Sequence, residues 1–597
     1  MGIYKVLRLY TTAEKFYVQP LVHVGENPKI LEIDRLTNEL FLNENKGQIP
    51  PRSAEVREIY GILGILQLIA GPYLVVVSKR KVVGLINGEE IWQMKEADLI
   101  PFPKSTTHLT ESQIRDNKIF IQMASSALQT DGFYFSYTFD ITHSAQRLYN
   151  TSSDFKDAPL YERADHRFVW NQSMLNLFIV QPELSSFVLP LMHGFVEIKK
   201  CSIKQYPLDF ILISRRSCYR AGTRYNIRGL DESGEAANYV ETEQLICCNN
   251  EIASFVQTRG SIPLYWSQYP TIKYKPKPML TPSCNNIEGF KRHIDNQLAY
   301  YGKQILINLI DQKGSEKVIG DKFKEIALHS GYNEIQLKYV AFDFHKECSK
   351  MRWNRLDLLL DQLKNSIFAM SYFRVQHDRN IVEQQSGVFR TNCIDCLDRT
   401  NVVQSMIAKY VLEKQLQAMG VLGVENHITD YSDFELTFKN VWADNADMIS
   451  HQYTGTGALK TDFTRTGKRS SFGVLQDGVN SLIRYYKNNF ADGFRQDGID
   501  LILGNYNIST NDKVSPLKIQ TGYKYLALPA IFLIGFSMLI ISLLLPATDF
   551  RLQLTYILFW GVACLITLYF VSLYGTEFVD KPRLVHKWHK SAKFQST

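Results

Sequence analysis

The chain has few cysteines and no strong excess of charge, and each of these features excludes a class of protein. Its 9 cysteines in 597 residues are odd in number and irregularly spaced, which argues against a disulfide framework and indicates a reducing, cytosolic environment. The formal net charge of +7 is modest and is spread along the chain, so nucleic-acid binding is not predicted. The sequence also lacks internal repeats, low-complexity tracts and heptad seams. We therefore expect a large globular protein of about two to four domains.

The N-terminal residues lack the pattern of a targeting segment. Residues 1–10 form an apolar run that contains Lys5 and Arg8 and is too short and too charged for a signal peptide. Gly2 is followed by Val6 at the position where N-myristoylation prefers serine or threonine. This segment is instead predicted to form a strand.

Long uncharged runs occur near the C-terminus, at residues 525–547 and 552–574. Each is long enough to cross a hydrocarbon core of ~30 Å at ~1.5 Å per residue. Only residues 548–551 separate them, so we expect a tight transmembrane hairpin that returns to the side it left. Two buried core helices are the alternative, and the length of both runs disfavours it.

Basic residues flank the predicted hairpin on both sides, whereas the connecting loop has only Arg551. The positive-inside rule therefore places the part before the hairpin and both termini in the cytosol, including a basic tail at residues 575–597. The flanking residues are Lys513, Lys518, Lys524, Lys581, Arg583, Lys587, Lys590 and Lys593.

The rest of the chain is predicted to divide into two folded parts and a linker. Residues 1–180 alternate short apolar runs with turns and predict a β-rich subdomain, with strands at 73–78, 82–86 and 133–137. Residues 181–504 mix strands such as 210–214 with helical patterns such as 356–363, which predicts an α/β catalytic domain. Residues 505–524 are polar and are interpreted as a linker to the membrane.

The residues that most directly suggest chemistry lie at 390–401, which read Arg-Thr-Asn-Cys-Ile-Asp-Cys-Leu-Asp-Arg-Thr-Asn. A strand is predicted from Gly387, and a helix with its stop at Gly420 follows. The N-terminus of a helix presents free N–H groups and partial positive charge, which suit both a phosphate and a thiolate. Cys393 and Arg399, six positions apart, therefore predict a Cys-x5-Arg phosphatase loop in which the arginine grips the phosphate in a bidentate manner.

Two other interpretations of the loop remain open. Cys393 and Cys396 form a Cys-x-x-Cys pair, which is also found in redox centres and zinc sites. Zinc needs a second pair of ligands, and the adjacent Cys247 and Cys248 are poorly placed to chelate. A loop that merely buries its cysteines is the other alternative, and the polar residues around them argue against it.

Blocks of distinctive sequence surround this loop on both sides. They lie at residues 215–224, 228–229, 238, 240–244, 257–263, 266, 343–345, 352–355, 442–447, 452–460 and 464–469.

Together with the loop, these blocks resemble the Sac-domain phosphoinositide phosphatases over nearly the whole predicted cytosolic part. The hairpin narrows the resemblance to the integral-membrane members of the endoplasmic reticulum and Golgi. The resemblance implies a β-rich Sac N-terminal subdomain, an α/β catalytic domain with the phosphatase loop, and a phosphocysteine intermediate. It also implies phosphatidylinositol 4-phosphate as the main substrate, with some action on the 3-phosphate and the 3,5-bisphosphate. Some family members end in a dilysine retrieval signal, which the segment 591–597 lacks.

Roles for individual residues follow from the motif and the resemblance. Cys393 is the predicted nucleophile, and Thr400 is expected to hydrogen-bond its sulfur or to cap the helix. Arg399 and the loop amides are expected to hold the equatorial phosphate oxygens, so that no metal or cofactor is expected. Predicted substrate contacts come from Ile394, Cys396, Leu397, Lys460 and Arg465.

The general acid is expected to be Asp395 or Asp398, which both lie in the loop, with Asp398 marginally behind because it adjoins Arg399. Bracing of the loop through arginine partners is an equally acceptable role for either. Asp343, Asp444 and Asp447 are candidates outside the loop.

The loop contains two acids and no lysine, which favours a monophosphorylated inositide over a bisphosphate or trisphosphate headgroup. The expected partners are the lipid substrate, the membrane, and proteins at membrane contact sites or in vesicle transport. A catalytically silent lipid-binding or tethering protein is the main alternative, and the intact motif argues against it. A soluble protein tyrosine phosphatase is disfavoured by the hairpin.

Overall fold

The computed structural model describes residues 2–21, 29–47, 49, 55–282, 284–349, 352–376, 380–395, 397–466, 470–508, 515–517, 523–545 and 549–585. Cys396 and most of the predicted linker and basic tail lie outside these ranges.

The strands begin close to the N-terminus, as residues 1–10 predicted. In the described residues they are β1 (Leu7–Thr11), β2 (Lys15–Pro20), β3 (Lys29–Asp34), β4 (Leu40–Glu44), β5 (Glu55–Ile59), β6 (Ile62–Leu68), β7 (Gly71–Ile86), β8 (Glu89–Pro101), β9 (Phe133–Phe135), β10 (Met192–Ile203), β11 (Tyr206–Arg216), β12 (Val240–Cys248), β13 (Glu251–Arg259), β14 (Trp266–Ser267), β15 (Met279–Leu280), β16 (Lys303–Asn308), β17 (Leu337–Ala341), β18 (Phe373–Gln376), β19 (Asn380–Glu383) and β20 (Gly387–Asn392).

Helices become more frequent in the second half of the chain. They are α1 (Glu111–Leu128), α2 (Ala145–Tyr149), α3 (Ser153–Asp157), α4 (Leu160–Arg163), α5 (Gln172–Ile179), α6 (Asn286–Tyr301), α7 (Lys317–His329), α8 (Phe344–Glu347), α9 (Leu356–Met370), α10 (Asp398–Ala418), α11 (Ser432–Thr454), α12 (Thr461–Thr466), α13 (Ser471–Phe490), α14 (Asp492–Ile502), α15 (Tyr523–Leu544) and α16 (Phe550–Leu573).

Two of the predicted strands are one continuous strand. The segments 73–78 and 82–86 both belong to β7, which pairs with β8 along its length through several register shifts. Lys79, Arg80 and Lys81 separate the two segments, and none of them is a residue type that favours a tight turn. The chain therefore bulges at this point instead of reversing.

The N-terminal strands form a five-stranded antiparallel sheet in the order β4-β3-β2-β1-β5. Its inner face packs on β6, β7 and α5 around a core that includes Leu9, Val18 and Leu31. The β-rich start of the chain is thus confirmed.

A second sheet continues from this region to the middle of the chain without a break. Its main path is β17-β16-β20-β13-β12-β11-β10-β9-β8-β7-β6, and β18 and β19 extend from β13. Strand β9 of the predicted N-terminal subdomain pairs with β10 of the predicted catalytic domain. The predicted boundary at residue 180 therefore falls between elements that share one sheet.

The sheet changes from antiparallel to parallel at β13, and this change positions the site. Strands β13, β20, β16 and β17 run parallel to one another, so their carboxyl ends lie at one edge. Helices α6, α7, α9 and α10 cover this part of the sheet through a core that includes Ile305, Phe323 and Leu363. Ligands of such sheets bind outside the carboxyl ends of the strands, and α10 begins there directly after the loop that follows β20.

Helices α15 and α16 pack against each other as an antiparallel pair, and their side chains are mostly exposed. The segments 525–544 and 550–573 are both long and apolar enough to cross a membrane. The predicted hairpin is therefore present as two apolar helices, and residues 546–548 of the connection lie outside the described residues.

The segments before and after this helix pair are attached to the globular part. Leu517 and Leu584 are both buried in the core that contains α1 and α14. The Asp497 carboxylate on α14 accepts hydrogen bonds from the backbone N–H groups of Arg583 and Leu584, at 2.9 and 3.0 Å. The described start of the predicted basic tail is therefore part of the folded unit.

Candidate active site

Cys393 directly follows β20, in the centre of the parallel part of the sheet. Strand β20 lies between β13 and β16 and is fully buried along its length, so the start of the loop has little freedom to move. The thiol is only 2% exposed. The Thr400 hydroxyl donates a hydrogen bond to the Cys393 sulfur at 3.5 Å. Strand, nucleophile candidate and helix thus follow one another as the sequence predicted.

Arg399 lies in the first turn of α10, and its guanidinium is held by groups that follow the neighbouring strand β16. It donates to the Leu309 carbonyl and to Asp311 at 3.1 Å each, and to Glu316 at 3.3 Å. Burial alone would lower the pKa of Arg399, but the Cys393 thiol and the two carboxylates raise it above its ordinary value. The arginine is therefore a permanent cation beside the cysteine, and carboxylates occupy its donors in this state.

Asp395 is fixed by two arginines from the segment after β11. Arg224 donates to it at 2.6 and 3.0 Å, and Arg228 at 2.7 Å. Burial raises the pKa of Asp395, but these two arginines outweigh burial and hold it well below its usual range. Asp395 is thus a carboxylate at any physiological pH, and it joins the loop to the segment between β11 and β12.

Asp398 has different surroundings, although it lies only three residues further on. Its carboxylate accepts a hydrogen bond from the Leu459 N–H at 2.9 Å, and Arg484 is 3.8 Å away. Burial raises the pKa of Asp398, and the Arg484 cation and the Leu459 N–H only partly oppose this effect. Of the two loop aspartates, Asp398 is the one whose surroundings favour the protonated form.

A cavity of about 550 Å³ opens over the loop, and both Cys393 and Asp398 line it. Several cations from outside the loop also line it, although the loop itself contains no lysine. Besides Arg399 of the loop itself, the lining cations are Arg224, Lys275, Lys460 and Arg484. The composition of the loop alone therefore underestimates the positive charge available to an anionic ligand.

The predicted substrate-binding residues fall into three groups. Leu397 and Lys460 line the cavity, whereas Ile394 does not line the described part of it and contributes its carbonyl to Arg228 at 2.8 Å. Arg465 is paired with Asp444 at 2.6 Å and Asp447 at 3.2 Å, outside the lining of this cavity. Cys396 lies outside the described residues.

The outer candidates for the general acid lie elsewhere. Asp343 caps α8 by accepting from the Lys346 N–H at 3.1 Å, while Asp444 and Asp447 are the partners of Arg465. None of the three lines the cavity over the loop as the described residues define it.

Sequence reasoning did not assign a role to several residues that shape this site. Arg224 and Arg228 lie in blocks that the resemblance highlighted, so that signal was present in the sequence. Arg484, Asp311 and Glu316 had no comparable signal, because they reach the site only through the fold.

The fold and the cavity together define a class of protein. A thiol at the carboxyl end of a parallel strand, an arginine at the start of the next helix and a basic cavity above them are what a cysteine-dependent phosphatase requires.

Comparison with known proteins makes the assignment more specific. Residues 60–349 match the SacI homology domain. The chain is 51% identical over 585 residues to phosphatidylinositol-3-phosphatase SAC1-B of Danio rerio, which covers 98% of this chain and 99% of that protein. It is 40% identical over 593 residues to phosphatidylinositol-3-phosphatase SAC1 of Drosophila melanogaster, which covers 98% and 97%. It is 35% identical over 553 residues to the protein of that name in Saccharomyces cerevisiae, which covers 90% and 87%. The chain belongs to the SacI homology domain family.

Proposed function

We propose that this protein is a membrane-anchored phosphoinositide phosphatase that forms a phosphocysteine intermediate. The observation that carries this proposal is the placement of Cys393, with its Thr400 partner, at the floor of a basic cavity in a chain of this family. The main substrate is phosphatidylinositol 4-phosphate, and the 3-phosphate and the 3,5-bisphosphate are also hydrolysed. The names of the relatives support a phosphoinositide substrate, and the cations around the cavity support an anionic headgroup.

In the first step, the Cys393 thiolate attacks the phosphorus in line with the inositol oxygen that leaves. The sulfur–phosphorus bond forms as the phosphorus–oxygen bond breaks, and Asp398 gives its proton to the leaving oxygen. Thr400 donates to the sulfur, which stabilises the thiolate before attack and after its release.

In the second step, water attacks the phosphocysteine and frees inorganic phosphate. Asp398, now ionised, takes a proton from this water, and the sulfur departs as a thiolate. Each group returns to its initial state, so the cycle consumes one water and yields one phosphate and one inositol hydroxyl.

Arg399 binds the equatorial phosphate oxygens during both steps. Its present partners, Asp311 and Glu316, are carboxylates of the same charge sign as the phosphate. The incoming phosphate therefore replaces the two carboxylates as the partner of Arg399. A bidentate guanidinium–phosphate pair compensates Arg399 for the hydrogen bonds that it loses.

The two apolar helices anchor the catalytic part to its membrane, with both flanks on the cytosolic side. This orientation is supported by Leu517 and Leu584, which precede and follow the helix pair and pack in one core. The basic flanks and the resemblance support residence in the endoplasmic reticulum and Golgi membranes. Protein partners at membrane contact sites or in vesicle transport belong to the same proposal.

The proposal is tested with the full-length protein in vesicles that contain one phosphoinositide at a time. The wild-type protein is expected to release phosphate most rapidly from phosphatidylinositol 4-phosphate, and Cys393→Ser is expected to release none. Mass spectrometry of acid-quenched wild-type protein is expected to find phosphate on Cys393.

Other outcomes would identify the alternatives. Equal release by the wild-type and Cys393→Ser proteins would exclude the cysteine mechanism. Binding of phosphoinositide vesicles without any release would indicate a silent lipid-binding or tethering protein, and activity confined to phosphotyrosine peptides would exclude the lipid substrate. Protection of a C-terminal tag from protease in sealed microsomes would contradict the orientation.

A further inference from the structure

Helix α13 has its polar face turned inward and its apolar face exposed, which is the reverse of a helix on the surface of a globular protein. Apart from Val474, its exposed apolar residues recur at intervals of three and four, so that they form one stripe about 100° wide. Phe472, Leu475, Leu482 and Tyr486 are between 61% and 74% exposed. The complete stripe consists of Phe472, Leu475, Val479, Leu482, Ile483, Tyr486 and Phe490.

The inner face of the same helix forms a wall of the active-site cavity. Ser481, Arg484 and Tyr485 line the cavity. The Asp477 carboxylate accepts from the backbone N–H of Lys460 at 3.0 and 3.1 Å, and Lys460 has a positive φ of 63°. A movement of α13 would therefore move cavity residues directly.

The end of the apolar helix pair that joins the globular part, here called its foot, lies next to α13. The Tyr485 hydroxyl donates to the Ile272 carbonyl at 2.5 Å. Gly575, just after α16, lies so close to this segment that a Cβ added to it would be 2.7 Å from the Ile272 side chain. The backbone N–H of Asp580 also donates to the Asn489 carbonyl near the end of α13, at 2.8 Å. The chain therefore leaves the membrane beside this helix.

We infer that the apolar stripe of α13 lies in the surface of the bilayer that holds α15 and α16. The inference rests on the proposed function and adds how the substrate reaches the site. An exposed apolar stripe of this size marks an interaction surface, and a helix with a continuous apolar face of about 30 Å lies in the plane of the lipid interface. Continuity with the foot of the spanning helices selects lipid as the partner, because those helices already place a bilayer beside the stripe.

This position brings the cavity mouth to the headgroup layer. Tyr274 stacks on Tyr485 at the mouth, with ring centroids 6.3 Å apart, and Lys275 follows it into the cavity lining. Tyr274 and Lys275 would therefore lie at the level of the lipid headgroups. Tyrosine rings are favoured at that level, and a lysine there is attracted to anionic lipids. The protein is expected to hydrolyse lipids of its own bilayer.

The test uses the full-length protein in phosphatidylcholine vesicles, with two substrates. The first substrate is long-chain phosphatidylinositol 4-phosphate in the same bilayer as the protein. The second is water-soluble short-chain phosphatidylinositol 4-phosphate, added to vesicles that contain no long-chain substrate. The double variant Leu475→Gln/Leu482→Gln is expected to lose about tenfold in rate on the embedded lipid, because α13 no longer holds the cavity mouth against the bilayer. The loss is not complete, because the hairpin still keeps the domain close to the membrane. The rate of the double variant on the soluble form is expected to stay within about twofold of wild type, since neither side chain lines the cavity.

The matched control is Val424→Gln/Leu436→Gln, which removes two other exposed apolar side chains. Val424 follows the C-terminal end of α10, and Leu436 lies near the start of α11, beside the Glu435 that pairs with Lys409 on α10. Neither side chain lines the cavity. Wild-type rates are expected on both substrates.

A second measurement does not depend on activity. A photoreactive benzoylphenylalanine is placed at position 482 and, as the control, at position 436, and crosslinks to radiolabelled phosphatidylcholine are counted. Crosslinking is expected at 482 and not at 436. The docking inference is overturned by an absence of lipid crosslinks at 482, by crosslinks there to a second protein chain, or by equal losses on the two substrates. If the wild-type protein releases no phosphate from either substrate, the proposed function fails, while the crosslinks still decide whether α13 contacts lipid.

Discussion

At the scale of single residues, the two loop aspartates differ because of their neighbours. Asp395 is surrounded by Arg224 and Arg228, which keep its pKa low despite burial. Burial raises the pKa of Asp398, and the Arg484 cation at 3.8 Å opposes this effect only in part. A carboxyl group whose pKa is raised keeps its proton to higher pH and is therefore the better proton donor to a leaving inositol oxygen. This difference assigns Asp398 to acid catalysis in our proposal and Asp395 to bracing of the loop.

We expect Asp398→Asn to slow phosphate release from phosphatidylinositol 4-phosphate by about 10²–10⁴-fold, because the inositol oxygen would leave unprotonated. Release from 4-nitrophenyl phosphate is expected to change little, since that phenolate departs without a proton. In the wild-type protein, the rate of the first step is expected to fall as the pH rises through the elevated pKa of Asp398. Single-turnover kinetics with both substrates measure these effects.

Asp395→Asn provides the contrasting variant. It leaves the buried Arg228 without its carboxylate, so we expect a loss of about 3 kcal/mol in the free energy of unfolding and equal losses on the two substrates. A loss that depends on the leaving group in Asp395→Asn, and not in Asp398→Asn, would reverse the assignment.

At the scale of elements, α14 holds the segment that returns from the apolar helices. Asp497 accepts from the N–H groups of Arg583 and Leu584, and Asp580 accepts from the Phe494 N–H at 2.9 Å. Burial raises the pKa of Asp497 to about 7, and the nearby Asp500 and Asp580 carboxylates add to this effect against the two N–H donors. The attachment of this segment is therefore sensitive to pH.

The sign of this dependence follows from proton linkage. The pKa of Asp497 is about 7 when the segment is attached. We expect detachment to expose the carboxyl to water and to return its pKa toward the ordinary value of about 3.9, so that the attached state binds more protons in between. Attachment is fully stabilised at the acidic end of this window and weakens as the pH rises through about 7. Hydrogen exchange of residues 580–585, corrected for intrinsic rates, is expected to show more protection at acidic than at alkaline pH.

Asp497→Asn is expected to flatten this pH dependence, because the amide retains an acceptor oxygen and does not titrate. Protection that rises with pH in the wild-type protein would contradict the mechanism, as would an unchanged profile in the variant.

At the scale of the whole molecule, one sheet crosses the boundary predicted at residue 180. Arg215 on β11 is fully buried and joins both sides. It donates to the Ile141 and His143 carbonyls of the N-terminal part, and to Glu241 and Glu243 on β12 at 2.8 and 2.7 Å. A continuous sheet with such a shared ion-pair network is expected to unfold as one unit.

We expect Arg215→Met to lower the free energy of unfolding by about 3–5 kcal/mol, because two buried carboxylates lose their common partner. In pulse proteolysis of the full-length protein, fragments from residues 60–140 and 300–420 are expected to appear at the same, lowered denaturant concentration. Cleavage of one region well before the other would show that the two parts unfold independently. Lys199→Met, at an exposed pair with Glu197, is the control and is expected to change little.

The sequence by itself determined the features that depend on residues close together along the chain. The length and composition of the two apolar runs determine two long helices, because few other structures satisfy an uncharged stretch of that length. The periodicity around Cys393 correctly predicted a strand, a turn and a helix. The spacing of Cys393, Arg399 and Thr400 predicted the site, and this assignment stays a prediction. The resemblance then gave the family, which the comparisons confirmed.

Tertiary structure alone decided which ion pairs surround the site and where the segment that returns from the apolar helices is attached. Arg224 and Asp395 are 171 positions apart in sequence, and no local pattern indicates that they pair. The same is true of Arg399 with Glu316, of Arg484 with Asp398, and of α14 with the return segment. Ion pairing, burial and pKa depend on distances in space, which only the packing of the sheet and its helices sets. For that reason the sequence was enough to predict Cys393 as the nucleophile, while our proposed choice between the two aspartates required the fold.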